Sequence, residues 1–135
     1  MGEAAKMNHL IIENLAYVPT SIGIYRLYAI GKSGKPICIQ RFGGVDKNGL
    51  LYIGQTSKQT LRKRIYNLLA ASREIGKTTN HSGGKKYKTN PVIQKTLQEH
   101  FLYFDFEICQ TPLSREADLL KEYSLEFGEY PPLNR

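Results

Sequence analysis

SIGIYRLYAI, Ser21 to Ile30, and LLYIGQTSKQTLRKRI, Leu50 to Ile65, carry the pattern on which the fold turns. In the first, Ile22, Ile24, Tyr28 and Ile30 alternate with Gly23, Tyr25, Leu27 and Ala29, a period of two that predicts a β-strand. The second opens with another strand over 50–54. From Thr60 its period changes: Leu61, Ile65, Leu68, Leu69 and Ser72 share one side of a helix that should end before Gly76.

Between the two stretches, GKSG at 31–34 and GGVDKNG at 43–49 read as turns around a strand-like PICIQRF. Together these segments predict an antiparallel meander. GKTTNHSGGKKYKT, 76–89, reads as a Gly-, Ser- and Lys-rich loop. In NPVIQKTLQEH, Asn90 is a good N-cap and Pro91 suits the first turn, so a short helix is expected. FLYFDFEICQ sets Leu102, Phe104, Phe106 and Ile108 against Tyr103, Asp105 and Glu107, a further strand. Ser114 is the expected cap of a last helix reaching about Phe127, and GEYPPLNR follows as an extended tail. Strands, helices, one strand and a helix make a small α+β domain with a mainly antiparallel sheet flanked by helices.

A chain of 135 residues, 41% hydrophobic and 23% charged, suits one compact core. No apolar run reaches the roughly 18 residues of a membrane span, and MGEAAKMNHL contains no apolar signal-peptide core. No membrane role and a cytoplasmic location are the expectations. Cys38 and Cys109 lie in strand-like apolar segments without zinc spacing and are expected to be buried, reduced thiols. The net charge of +7 is unevenly spread: from Lys58 to Lys95 there are ten basic residues and one acidic residue. Such a block suits a partner of dense negative charge, nucleic acid above all, with a solvated basic face as the alternative.

Glu116 stands three, four, seven and eleven positions before Leu119, Leu120, Tyr123 and Phe127, on the apolar side of its helix. A carboxylate there is costly unless it is paired or binds a cation; otherwise it serves the helix dipole at the edge of the stripe. Arg62 and Arg64 each lie about 75 to 85° from the centre of their helix's apolar stripe, on opposite sides, so periodicity allows either to line a pocket. Tyr25 and Tyr52 read as packing residues when taken singly, Asn134 as a tail residue and His81 as a polar loop residue.

Taken together these residues resemble the GIY-YIG nuclease superfamily. GIY is Gly23-Ile24-Tyr25 and YIG is Tyr52-Ile53-Gly54; LRKRI, Leu61 to Ile65, fits the family's arginine pattern on Arg64; READLLKEY resembles its metal-binding helix with Glu116 as the glutamate; PPLNR supplies the late asparagine as Asn134. The resemblance spans about residues 21 to 134. It implies a three-stranded antiparallel central sheet flanked by helices, and phosphodiester cleavage with one divalent metal. With a single carboxylate ligand, water and phosphate oxygens fill most metal positions, which suits Mg²⁺ or Mn²⁺.

In the roles the resemblance implies, Glu116 holds the metal, Arg64 stabilises charge on the transition state, and Tyr25 or Tyr52 helps activate the attacking water. Asn134 orients and supports the site. His81 resembles a histidine of some homing-type members. Twenty-six residues separate Tyr25 from Tyr52, more than the family's usual short hairpin, so 31–49 reads as an insertion. The shortest family spacings would select Arg62 instead, whereas the helix register of L-x-x-R-I favours Arg64. The expected organisation is an N-terminal extension, 1–20, and a stand-alone nuclease-like domain, 21–135, with Lys58, Arg62, Lys63, Lys85, Lys86 and Lys88 meeting DNA. The expected function is metal-dependent DNA endonuclease, with a non-catalytic nucleic-acid-binding module on the same fold as the alternative. Specificity is expected from 31–49 and 76–89, or from a homodimer or protein partner, or else cleavage is structure-directed or weakly specific.

Overall fold

The computed structural model describes residues 7–73, 81–89 and 102–134. Its strands are β1 (Asn8–His9), β2 (Gly23–Ala29), β3 (Ile39–Arg41), β4 (Gly44–Asp46), β5 (Leu50–Thr56) and β6 (Leu102–Ile108). Its helices are α1 (Leu61–Arg73), α2 (Ser82–Thr89) and α3 (Pro112–Phe127), with a 3-10 segment over Ile12–Tyr17. The class is α+β, as the patterning predicts, and among the described residues no helix is long and apolar enough to cross a membrane.

The sheet is antiparallel and four-stranded, in the order β1-β6-β2-β5, where three strands were expected. The fourth comes from the segment read as an extension. Leu10 is fully buried and its N–H bonds the Leu102 carbonyl at 2.9 Å, while the His9 ring stacks on Tyr103 at 4.8 Å. Leu15 and Val18 join the same core, so residues 8–18 are part of the domain. The meander is corrected as well. β3 pairs only with β4 in a separate ribbon, and the place beside β2 goes to β6, which follows β5 at a long distance in the chain.

α1 follows its expected register. Leu61, Ile65, Leu68, Leu69 and Ser72 are fully buried, Lys63 is exposed, and the Thr60 hydroxyl caps the Lys63 N–H at 3.1 Å. The loop expected over 76–89 is a helix from Ser82 onward, with Tyr87 buried. Gly83 and Gly84 lower its propensity, yet the missing side chain of Gly84 lets α2 approach α1: a Cβ there would stand 2.8 Å from the Ala71 Cβ and 2.9 Å from the Leu68 carbonyl oxygen. Tertiary packing outweighs propensity here. The helix expected over 90–100 lies outside the described residues.

Along β6, Leu102 and Phe104 are buried as expected, but Ile108 is 54% exposed, whereas Asp105 on the opposite face is buried in an ion pair with Arg26 at 2.8 Å. α3 begins at Pro112, two residues ahead of the expected Ser114 cap, because proline's fixed φ suits a first turn. It ends at Gly128, whose φ of 80° is left-handed. The cysteines are free but not buried: Cys38 is exposed and Cys109 half-buried. Cys38 lies just ahead of β3, facing outward between Ile37 and Ile39, which pack against the core, and Cys109 follows the exposed end of β6.

The insertion packs as a ribbon against the C-terminal half of α3. The Tyr123 hydroxyl donates to buried Asp46 at 2.7 Å, and the Gly43 N–H bonds the Phe127 carbonyl at 2.7 Å. The tail lies along the outer edge of β5, the Leu133 N–H bonding the Leu51 carbonyl at 2.9 Å. Ile65→Ala should destabilise the protein by about 2–5 kcal/mol, and Lys63→Ala by less than about 0.5 kcal/mol, when urea unfolding of the two variants is compared with the parent.

Candidate active site

β2 and β5 pair so that Tyr25 stands opposite Gly54 and Leu27 opposite Tyr52. Alternation then sends both tyrosines to the same face of the sheet, on a diagonal. Their rings lie 6.2 Å apart at 43°. The glycine of the second triplet is a steric requirement. A Cβ at Gly54 would meet the Tyr25 ring, with its hydroxyl oxygen 2.6 Å away and a Tyr52 ring carbon at 2.8 Å. The glycine of the first triplet lies on β2 opposite β6, where a Cβ would run into the Glu107 carbonyl oxygen.

α2 completes the cluster. His81, at its N-terminal end, is fully buried, and its Nε2 lies 2.7 Å from the Tyr25 hydroxyl. The three rings form one group, His81 lying 5.8 Å from Tyr25 and 5.3 Å from Tyr52 between centroids. Gly83 faces the Tyr52 ring, which a Cβ would approach to 2.7 Å. Sequence reasoning named His81 but missed Gly54, Gly83 and Gly84 as shaping residues. The Gly-Gly pair two residues after the histidine was the available signal.

The hydrogen bonds fix the direction of the protons. The Gly84 N–H can only donate, and it bonds His81 Nδ1 at 3.1 Å. Nδ1 therefore carries no proton, so in the neutral ring Nε2 carries it and donates to the Tyr25 oxygen. Burial, followed by the charge of Arg64, pushes the His81 pKa down to about 3, so the ring is neutral at physiological pH. Burial also pushes the Tyr25 phenol well above its ordinary value, and Tyr52 adds to that rise. The charge of Arg64 and its hydrogen bond to Tyr25 pull the other way. The Tyr25 oxygen thus faces two donors, His81 and Arg64.

The two arginines left open by periodicity have different surroundings. Arg62 is exposed and bonded to backbone, its Nε meeting the Val18 carbonyl at 2.8 Å and its Nη2 the Ala16 carbonyl at 3.2 Å. Arg64 is half-buried beside Tyr25 and lines an open groove of about 530 Å³ with Gln55, Thr56, Ser57, Lys58 and Gln59. Tyr52 also borders a cavity of about 370 Å³, lined by Tyr52, Lys86, Glu116, Leu120, Tyr130, Leu133 and Asn134. Glu116 is half-buried there, and its charge is felt at Tyr25.

Asn134 borders the cavity while its amide is occupied twice by one residue: Oδ1 accepts the Ile53 N–H and Nδ2 donates to the Ile53 carbonyl, each at 2.9 Å. It thus braces the strand between Tyr52 and Gly54. Lys58, Lys63 and Lys86 are exposed, whereas the side chains of Lys85 and Lys88 lie outside the described residues.

Among the described residues, no three His, Cys, Asp or Glu side chains gather at one point, so a closed structural site does not fit. One half-buried carboxylate beside a cavity with room for several waters does fit a hard cation that keeps most of its own water. Set against models of protein families, curated proteins and solved structures, the chain matches none.

Because the folded His81 pKa lies below the unfolded value of about 6.5, the unfolded chain binds the extra proton between those limits. Stability conferred by the neutral ring is therefore present above pH 6.5 and declines as pH falls toward 3. Urea unfolding from pH 7 to 4 should show His81→Gln losing less stability than the parent, the difference having a slope of up to about 1.4 kcal/mol per pH unit. Parallel curves for the two proteins would contradict the buried neutral ring.

Proposed function

We propose that this chain is a metal-dependent endonuclease that hydrolyses DNA phosphodiester bonds, along the lines of the GIY-YIG nucleases it resembles. The observation that carries the reading is the gathering of Tyr25, Tyr52, His81 and Arg64 within one buried cluster, next to a cavity that Tyr52 shares with Glu116 and Asn134. These come from β2, β5, α1, the start of α2, α3 and the tail. Packing alone has no need of a guanidinium and a carboxylate near the same buried phenol.

In this reading Glu116 holds Mg²⁺ or Mn²⁺. When bound, the metal would polarise the scissile phosphate and stabilise the leaving oxygen. Arg64, always charged, meets negative charge developing on the phosphoryl oxygens. His81 donates to Tyr25 and fixes the orientation of its ring, which leaves the phenol's own proton directed away from His81. Once that proton has passed to bulk water, the phenolate, held by His81 and Arg64, can accept a proton from the attacking water. Tyr52, on the cavity side, is the second candidate for that step. Lys58, Lys63 and Lys86 supply phosphate contacts that position the duplex.

One observation favours the second reading, a non-catalytic nucleic-acid-binding module on the same fold: burial holds Tyr25 protonated, a poor state for a base. Nicking of supercoiled plasmid separates the two. The endonuclease reading expects relaxed product with Mg²⁺ or Mn²⁺ and none with chelator. Glu116→Gln and Arg64→Ala should each lower turnover at least about 100-fold, and Phe in place of the working tyrosine by a similar factor. Arg62→Ala should instead lower the unfolding free energy by about 1 kcal/mol, through loss of its bonds to the Val18 and Ala16 carbonyls. Plasmid left intact with every metal, despite salt-sensitive binding, would leave the binding module standing.

A further inference from the structure

The insertion grips the far end of α3 through a closely spaced set of bonds. Arg41, the last residue of β3, sends Nη2 to the Tyr130 carbonyl at 2.7 Å and to Glu129 Oε1 at 2.9 Å. The other carboxylate oxygen of Glu129 accepts the Phe42 N–H at 2.6 Å. The Phe127 carbonyl, in the last turn of the helix where such groups lack an intrahelical partner, accepts the Gly43 N–H at 2.7 Å. A Cβ at Gly43 would stand 3.0 Å from that carbonyl oxygen, so the approach needs glycine.

These contacts fall on the turn where α3 gives way to the tail. Beyond that turn, Tyr130, Leu133 and Asn134 line the cavity that Glu116 also lines. The far end of the tail is fixed to β5, through the Leu133 N–H on Leu51 and the Asn134 amide on Ile53. Its near end is fixed by the ribbon. The bond from Arg41 ends on the carbonyl of Tyr130, and its loss would free the residue whose side chain walls the cavity.

Arg41 has the properties of a group that sets geometry. Its side chain is 12% exposed and its Nη2 is already occupied, so it offers little to a DNA phosphate. Its Nε is buried with no hydrogen-bond partner among the described residues. A guanidinium withdrawn from water with a donor unspent adds little net stability, whereas its rigid planar fork fixes the groups it bonds relative to each other.

We propose that Arg41 is a positioning residue for the metal and phosphate held at Glu116, acting through Tyr130, an inference that rests on the endonuclease reading. The insertion then has a role inside the molecule, the support of one wall of the site.

The test uses the full chain with Tb³⁺ in place of Mg²⁺, its luminescence excited through tyrosine, because Tyr52 and Tyr130 both border the cavity. Titration midpoints are compared for the parent, Glu116→Gln, Arg41→Ala and Tyr130→Ala, each shown to be folded by urea unfolding, beside kcat and KM for plasmid nicking with Mg²⁺. Glu116→Gln should remove the tight phase of the titration. Arg41→Ala should raise the midpoint and lower kcat, each by roughly tenfold, with KM for DNA unchanged, and Tyr130→Ala should do the same. If Arg41→Ala does not fold, Tyr130→Ala decides, since the ribbon bonds that residue through its carbonyl. Parent-like midpoint and kcat in either folded variant would overturn the inference. A raised KM with kcat unchanged in Arg41→Ala would make Arg41 a DNA contact and overturn it as well. A Glu116-dependent midpoint that moves in Arg41→Ala, with plasmid left intact by every metal, would support the positioning role and sink the nuclease reading. Absence of any Glu116-dependent signal in the parent would overturn both.

Discussion

The arrangement depends on one cross-strand pair, Tyr25 opposite Gly54. A strand pair normally sets side chain against side chain, yet here one partner has none, and the space is filled by the phenol leaning across the neighbouring strand. That lean brings the hydroxyl to His81 at the start of α2 rather than toward solvent. Tyr52, one pleat along, borders the same space. Any side chain at position 54 displaces Tyr25, and with it the contacts that His81 and Arg64 make.

Above that pair the polarity of the hydrogen bonds runs in one direction, from the Gly84 N–H through the His81 ring to the Tyr25 oxygen. Backbone donors cannot reverse, so the helix sets the tautomer, and the tautomer determines what the phenol oxygen receives. Two glycines in a row make this geometry available: one lets α2 settle against α1, the other clears the Tyr52 ring. A residue pair that weakens a helix by propensity is here what permits the helix to sit over the site.

Much of this was legible in the sequence, and the gaps have physical causes. Period-two alternation located β2 and β6, a short apolar run between turns located β5, and the apolar register of α1 named residues that are buried, because these signals are local in sequence. The pairing of strands was not legible. PICIQRF has the composition of a meander strand, but partner choice is decided by contacts far apart in sequence, and β6 took the place beside β2. Likewise the first strand is two residues long, too short for any period to register. Glu116 could be singled out from its helix face, and Arg64 was preferred to Arg62 only through the family resemblance, whereas the way Asn134 acts could not be read. Its amide bonds as a strand residue would, and nothing in PPLNR announces that.

That amide has a consequence for assembly. A sheet's outer strand normally offers a row of unsatisfied backbone groups, an open template for another chain. On β5 the Leu133 N–H closes off Leu51, and both backbone groups of Ile53 are taken by Asn134. The opposite margin of the sheet is a strand of only two residues. Growth of the sheet from one molecule into the next is thus obstructed along the described length of β5.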